Sequence, residues 1–265
     1  MLRQRLLATA VLLPAAVAWA LWAPLALFAG LGAVLVLLGA WEWIRLVGYT
    51  NVLIRLGYLV VALVPVVLLG AALVLDRFQT FLLWAFMLFW LVLALQLFLS
   101  FRPSRLLLAG EGLVMLSATW WVLVLLRQAP GGGGWVIALL AVVSAADTGA
   151  YFVGRAWGRH RLAPMISPGK TWEGFVGGMV GGGLVGCIAG FWSGISPWML
   201  AVLALVAAIF SVIGDLTESR IKRWAGAKNS GRLIPGHGGL LDRIDGLMAA
   251  APIFALGLEL VRNTR

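Results

Sequence analysis

The densest group of side chains able to do chemistry lies in the segment 211–245, where one long apolar run ends and the next begins. Its acids and bases are Asp215, Glu218, Arg220, Lys222, Arg223, Lys228, Arg232, Asp242, Arg243 and Asp245. Neighbouring carboxylates can hold a divalent metal ion, whereas lysines and arginines can neutralise phosphates. A segment that contains both kinds of residue favours phosphoryl or nucleotidyl transfer.

Three of these carboxylates are candidate metal ligands. Asp242 and Asp245 are three residues apart, so a helix that begins near residue 240 directs both to the same side. Asp215, at the end of the preceding run, supplies a third carboxylate. Acids in the first turn of a helix also interact favourably with its dipole, so helix capping is the structural alternative for the first two. Oxygen ligands and phosphate chemistry together predict Mg²⁺, with room for a second cation.

The glycine-rich sequence PGHGG at 235–239 contains the only histidine of this segment, His237. It has no cysteine or histidine partner at the spacing of a zinc site. Three roles remain open for it: contact with a phosphate, help to a leaving group, or a place in a hinge loop. The glycines around it let the backbone turn tightly or approach a ligand.

A second polar segment, ISPGKTWEG at 166–174, stands just before another apolar run. Ser167, Lys170 and Thr171 supply hydroxyls and an ammonium group where a helix is predicted to begin, and such helix starts bind phosphate readily. The segment is not a phosphate-binding loop of the Walker type, because Pro164 stands where that motif has its first glycine. We expect these three residues to contact the substrate's phosphates.

Asp147 is unusual because it lies inside an apolar run rather than at its end. On a helix it would be about 12 Å from Arg155, which places the carboxylate within the apolar layer. Such an acid usually has a partner or a function. Asp147 is therefore a fourth, weaker metal candidate, and a structural hydrogen bond to a neighbouring helix is the alternative.

Composition indicates the fold class. Hydrophobic residues make up 62% of the 265 residues and charged residues only 11%. Apolar runs of about 20 residues recur along the chain, as expected for helices that cross a bilayer. We predict an all-α polytopic integral membrane protein with about nine transmembrane helices. The predicted spans are 6–22, 25–43, 54–75, 79–100, 105–127, 133–153, 173–193, 197–217 and 243–261.

The charge distribution argues for a membrane partner and predicts an orientation. The net charge is +10, but the bases lie at the ends of apolar runs rather than in a basic arm, which excludes nucleic-acid binding. With the N-terminus in the cytoplasm, 16 of the 20 lysines and arginines face the cytoplasm and four face the other side. This asymmetry favours a cytoplasmic N-terminus in a cell membrane of the bacterial inner-membrane type.

The distribution of polar residues predicts two functional regions. We predict a scaffold of transmembrane helices over 1–130, with lipid access or dimerisation as its tasks, and a catalytic region over 131–265 with cytoplasmic loops at 154–172 and 218–242. In the scaffold, Glu42 and Glu111 are isolated acids, for which an interfacial or paired position is favoured over catalysis.

Glycine recurs at every fourth residue from Gly174 to Gly190. Small residues at this spacing let another helix approach closely, so the stripe predicts tight helix packing. The sequence does not tell whether the neighbouring helix belongs to the same chain or to a second copy.

The polar segments resemble the phosphatidate cytidylyltransferase family, also called CDP-diacylglycerol synthases. Its signature of a serine, a Lys-Arg pair, a further lysine and a closing Pro-x-His-Gly-Gly-x-x-Asp-Arg-x-Asp is present as Ser219, Lys222-Arg223, Lys228 and 235–245. The upstream sequence from Asp147 to Gly174 is similar to a second characteristic block. One position departs from the pattern, because Asn229 stands where the family usually has an aspartate.

The resemblance implies a reaction and a set of partners. CTP and phosphatidic acid would give CDP-diacylglycerol and pyrophosphate with Mg²⁺ at the cytoplasmic face, and we expect a homodimer. The metal ligands would be Asp215, Asp242, Asp245 and Asp147. The residues that act on the phosphates would be Lys170, Lys222, Arg223, Lys228 and Arg243, with His237 in support.

Two other functions use similar residues. A transporter of ions or phosphate also contains intramembrane acids, but here the acids and bases cluster near one membrane face and no polar pathway continues to the other. A CTP-dependent kinase of a membrane alcohol would need a similar site. It would release CDP, whereas a cytidylyltransferase adds CMP to the lipid.

Overall fold

The computed structural model describes residues 14–99, 103–231, 233 and 238–263, and these form helices joined by short loops. The helices are α1 over 14–22, α2 Leu25–Leu46, α3 Val52–Ala72, α4 Asp76–Phe98, α5 Arg105–Gln128, α6 Gly132–Trp157, α7 Trp172–Ser193, α8 Pro197–Trp224 and α9 Leu241–Asn263. Two short strands, β1 Arg161–Ala163 and β2 Ser167–Thr171, lie between α6 and α7.

The predicted fold class is confirmed. Within the described residues, the eight helices α2 to α9 are long and apolar enough to cross a membrane. They follow the order of the predicted apolar runs, while the first predicted run begins in residues outside the described ranges. The largest difference is α8, which continues to Trp224 instead of ending near residue 217. Lys222 and Arg223 in its last turn complement the helix dipole there, so polarity alone does not end the helix.

The segment between α6 and α7 was predicted as a loop, and it contains an antiparallel hairpin of β1 and β2. Glu173, in the first turn of α7, holds the start of this hairpin. Its carboxylate accepts the backbone N–H of Arg159 at 3.1 Å and contacts His160 Nδ1 at 2.6 Å. The hairpin ends on Thr171, whose hydroxyl caps α7 by accepting the Gly174 N–H at 3.1 Å.

The chain divides into two compact units, each built from three separate segments. Unit 1 comprises the residues up to Asp76, Phe101–Ile137 and Ile221–Ile244. Unit 2 comprises Arg77–Ser100, Ala138–Arg220 and Asp245–Arg265. This division concerns packing, and the functional division at residues 130 and 131 stays a prediction.

The core of unit 1 is formed by α2, α3 and α5, whose apolar faces are tied together by hydrogen bonds from aromatic side chains. Trp43 Nε1 on α2 donates to the Leu108 carbonyl on α5 at 2.7 Å, and the Tyr58 hydroxyl on α3 donates to the Ala109 carbonyl at 2.8 Å. Trp43 is fully buried. Polar groups of large side chains are thus satisfied inside an otherwise apolar core.

In unit 2 the glycine stripe of α7 packs between two helices of the same chain, which confirms the predicted close helix packing. A Cβ added at Gly178 would lie 2.8 Å from the Ala146 carbonyl oxygen on α6. A Cβ added at Gly182 would lie 3.0 Å from Ala208 on α8. Both glycines are buried. Because these neighbours belong to the same chain, the stripe gives no support to the predicted homodimer, which stays a prediction.

Candidate active site

A cavity of about 520 Å³ in unit 2 brings together several residues that the sequence analysis singled out. Its wall combines carboxylates, an ammonium group and guanidinium groups with small residues that leave space between them. The polar residues of the wall are Asp147, Tyr151, Arg155, Arg161, Lys170, Thr171 and Asp215. They come from α6, the hairpin and α8, so the hairpin places Lys170 against two membrane-spanning helices.

Lys170 and Asp215 form an ion pair in this cavity. Lys170 Nζ lies 2.5 Å from Asp215 Oδ2, with 24% and 30% of the two side chains exposed. The second carboxylate oxygen, Oδ1, accepts a hydrogen bond from the Ser219 hydroxyl one turn along α8 at 3.1 Å. The carboxylate is thus oriented from both sides, and its lysine partner remains accessible from the cavity.

The α6 wall of the same cavity has a cation held by a tyrosine. Arg155 Nη1 donates to the Tyr151 hydroxyl at 2.7 Å, and its guanidinium carbon lies 6.0 Å from the centre of that ring. The sequence left Arg155 and Arg161 between a role in membrane topology and a role at a site. Both line the cavity, where they add positive charge around Lys170.

Unit 1 contains a second pair of predicted residues, Lys222 and Asp242. Lys222 Nζ lies 2.8 Å from Asp242 Oδ1, and only 10% and 11% of these side chains are exposed. Asp242 Oδ2 also accepts the backbone N–H groups of Gly239 at 2.9 Å and Ser230 at 3.1 Å. The carboxylate therefore connects the ends of the loop segments on either side of residues 232–237 and the start of α9.

Glu42 completes the unit 1 cluster and has hydrogen-bond partners there, which agrees with the paired position favoured from the sequence. Its side chain on α2 is 4% exposed. Its Oε2 accepts the Leu241 backbone N–H at 3.1 Å and lies 3.4 Å from the Ser230 hydroxyl. Ser230 thus contacts Asp242 through its backbone and Glu42 through its side chain. The position of an acid inside an apolar run was the only sequence signal for this role. Its partners could not be identified, because they lie 188 and 199 residues further along the chain.

The remaining predicted site residues in the described chain do not line the unit 2 cavity. Arg243 and Lys228 are exposed, Ser167 is half-buried on β2, and Arg223 lines a different cavity of unit 1. Asp245 belongs to unit 2, where its Oδ1 accepts the N–H of Gly246 at 2.7 Å. His237 lies outside the described residues.

The four predicted metal ligands are divided between the two units. No group of three or more histidine, cysteine, aspartate or glutamate residues that could hold a metal occurs in the described part of the chain. Asp147 and Asp215 share the unit 2 cavity, whereas Asp242 belongs to unit 1. The joint action of Asp147, Asp215, Asp242 and Asp245 on a metal stays a prediction.

Comparison with known proteins identifies the family. Residues 3–261 match the family model described as the cytidylyltransferase family. The chain is 41% identical to a phosphatidate cytidylyltransferase of Pseudomonas aeruginosa over 96% of both chains. It is 37% identical to one of Haemophilus influenzae over 96% of this chain and 98% of that one. A phosphatidate cytidylyltransferase of Brucella suis is 52% identical over 46% of this chain and 45% of its own length.

The family match and the matches to the P. aeruginosa and H. influenzae proteins extend over nearly the whole chain and therefore include both units. Two lysine–aspartate pairs, one buried and one partly exposed, and a cavity lined by cations are consistent with these matches. The chain belongs to the cytidylyltransferase family.

Proposed function

We propose that this protein transfers CMP from CTP to phosphatidic acid, giving CDP-diacylglycerol and pyrophosphate. The observation that carries the proposal is its 41% identity over 96% of both chains to the P. aeruginosa protein named phosphatidate cytidylyltransferase. The unit 2 cavity supports it, because both substrates are anionic and Lys170, Arg155 and Arg161 surround that space.

The reaction is a single in-line substitution at phosphorus. A phosphate oxygen of phosphatidic acid attacks the α-phosphorus of CTP and forms a new P–O bond. The bond from the α-phosphorus to the bridging oxygen of the β-phosphate breaks, and its electron pair leaves with pyrophosphate. Phosphatidic acid is already anionic near neutral pH, so the protein's main tasks are to position two polyanions and to stabilise charge.

The lysines and arginines are assigned to these tasks. Lys170 can exchange its pairing with Asp215 for a substrate phosphate, since its ammonium group lies on the cavity wall. Arg155 and Arg161 add charge on the same wall. Lys222, Arg223, Lys228 and Arg243 are the further phosphate-binding residues of the proposal. His237 is assigned to a phosphate contact or to help for the leaving group.

The carboxylates of the unit 2 cavity fit Mg²⁺. Asp147 and Asp215 both line the unit 2 cavity, and Mg²⁺ is commonly held by one or two carboxylates together with substrate phosphates and water. Asp242 and Asp245 are the further proposed ligands. A bound Mg²⁺ would offset the negative charge that develops on the transferred phosphoryl group and on pyrophosphate.

The location of the site in the membrane is also part of the proposal. The asymmetry of lysines and arginines favours a cytoplasmic position for the N-terminus and for both polar loops. CTP is a soluble nucleotide and phosphatidic acid is embedded in the bilayer. A site near the headgroup level on that side would be reached by both.

The test uses the purified full chain in phosphatidylcholine nanodiscs that contain phosphatidic acid. CTP labelled at the α-phosphorus should transfer its label to a chloroform-soluble product, and CTP labelled at the γ-phosphorus should not. Lipid labelling from the γ-phosphorus instead would show a kinase. Phosphate or ion flux into liposomes without nucleotide, in a preparation that makes no labelled lipid, would support the transporter reading and overturn the proposal.

A further inference from the structure

Unit 1 contains a cavity of about 610 Å³ whose polar wall is formed by arginines. Arg45 comes from the end of α2, Arg105 from the start of α5 and Arg223 from the end of α8. The other residues around the cavity are neutral, and none of the residues that line it in the described chain is an aspartate or glutamate. In the described chain, the lining of this cavity therefore carries three guanidinium groups and no carboxylate.

The guanidinium groups of Arg45 and Arg105 are available for a ligand. Both residues are exposed, and within the described residues neither side chain has a hydrogen-bonding or ion-pair partner. Gly48, with φ of 98°, turns the chain after α2. A Cβ built there would lie in ordinary van der Waals contact with the Arg105 guanidinium, at 3.7 Å, so this group lies beside the turn.

The rest of the wall is apolar apart from Asn229 and Ser230, so it suits an anionic group that is attached to an apolar or hydroxyl-bearing group. Leu46, Val47, Leu108 and Ile221 are buried residues of the lining, and Asn229 adds an amide group. Three guanidinium groups around one space repel one another, and an anion between them turns that repulsion into attraction. Guanidinium groups also bind phosphate oxygens in pairs, which makes phosphate the anion of choice.

We propose that this arginine cavity is a binding site for a phosphate-bearing anion, presented either by a lipid headgroup or by a soluble phosphate compound. The site is defined by Arg45, Arg105 and Arg223 and acts in binding. The site shares Arg223 with the phosphate-binding residues of the proposed function, but its occupancy is measured without CTP and without turnover.

The experiment measures binding to the full chain in phosphatidylcholine nanodiscs with EDTA and no nucleotide. One arm titrates labelled inorganic pyrophosphate from solution. The other arm adds phosphatidic acid to the bilayer and counts retained lipids by native mass spectrometry. The variants are Arg45→Gln and Arg105→Gln, each of which removes one charge without removing a side-chain hydrogen bond or ion pair seen among the described residues.

We expect each variant to weaken binding of at least one probe by about tenfold, the loss typical of one charge-assisted hydrogen bond to a phosphate. Loss in the lipid arm alone identifies a headgroup as the ligand, and loss in the soluble arm alone identifies free phosphate compounds. Asn229→Asp, which adds a carboxylate to the same wall, should weaken the same probe and serves as an independent check on the arginine variants.

Arg159→Gln is the matched control, because Arg159 is an exposed arginine that lines neither cavity. It should bind both probes like the wild type. The proposal is overturned if neither probe binds the wild type, if both arginine variants bind like the wild type, or if Arg159→Gln loses as much affinity as they do. The transfer reaction is measured separately, by the labelling of lipid from CTP, so failure of this site and failure of the reaction are distinguished.

Discussion

The carboxylate of Glu42 accepts the backbone N–H of Leu241 at 3.1 Å, although the two residues are 199 positions apart. Leu241 is the first residue of α9, and its N–H has no partner within the helix because the first turn of any helix lacks acceptors. Glu42 thus satisfies a buried donor at the point where Asp242 enters the candidate site.

The first prediction follows from this contact. Glu42→Ala should lower the free energy of unfolding by about 1–3 kcal/mol, because it leaves a buried N–H without an acceptor. It should also reduce turnover, since Asp242 is the next residue. Glu42→Gln keeps an acceptor oxygen and should lose less of both. Thermal unfolding in detergent and initial rates would check this, and an Ala variant equal to the wild type in both would refute the role of Glu42.

The buried pair of Lys222 and Asp242 gives a second prediction. Removing one partner leaves an uncompensated buried charge, so Lys222→Met should destabilise the protein by about 3–5 kcal/mol. Combining it with Asp242→Asn removes both charges and should recover much of the stability without recovering activity. Equilibrium unfolding of the single and double variants measures this coupling. Additive losses would show that the two side chains do not interact.

The glycine face of α7 gives a third prediction with an internal control. Gly178→Ala should destabilise unit 2 by about 1–3 kcal/mol, because the added methyl group would overpack against the Ala146 carbonyl. Gly183→Ala on the same helix should be neutral or stabilising, since the nearest atom to its Cβ is 3.9 Å away and alanine favours helix. The midpoints of thermal unfolding of the two variants are compared, and that of Gly178→Ala should be lower. Equal midpoints would contradict the close packing at Gly178.

Periodicity and composition predicted most of the fold. The apolar runs located α2 to α9 in order, and the fourfold spacing of Gly174, Gly178 and Gly182 predicted a close helix contact. The sequence did not predict that Lys170 pairs with Asp215 or that Lys222 pairs with Asp242. Several lysines and acids were equally good candidates, and only the folded structure shows which of them meet. The hairpin around Lys170 was not predicted either. Its strands have three and five residues, which is too short for a recognisable alternation of apolar and polar residues.

Contacts between distant segments were the least predictable. Glu42 was read as an isolated acid because its partners, Ser230 and Leu241, come from the other end of the chain. The arginine cavity likewise depends on three helix ends that are far apart in sequence. The wall of this cavity also includes Asn229, which stands where the family usually has an aspartate. The residue that departs from the family pattern therefore lies beside the arginines.

Lys170 provides the fourth prediction. Its side chain is partly exposed, so Lys170→Ala should change stability by no more than about 1 kcal/mol. The Michaelis constant for CTP or for phosphatidic acid should rise about tenfold, because one cation is lost from the cavity. Arg159→Gln, which removes an exposed cation outside the cavity lining, is the control and should have a much smaller effect. Unchanged Michaelis constants for both substrates would remove Lys170 from the phosphate-binding set.

The central claim is that this protein makes CDP-diacylglycerol with the aspartates singled out from its sequence. The most direct measurement is the initial rate of CDP-diacylglycerol formation from CTP and phosphatidic acid, with Mg²⁺, by wild type, Asp242→Asn and Asp245→Asn in nanodiscs. Folding of each variant is verified by thermal unfolding. The wild type should form product, and both variants should be slower by a factor of about 100 or more. Full activity in a folded Asp242→Asn protein, or no product from the wild type, would contradict the account.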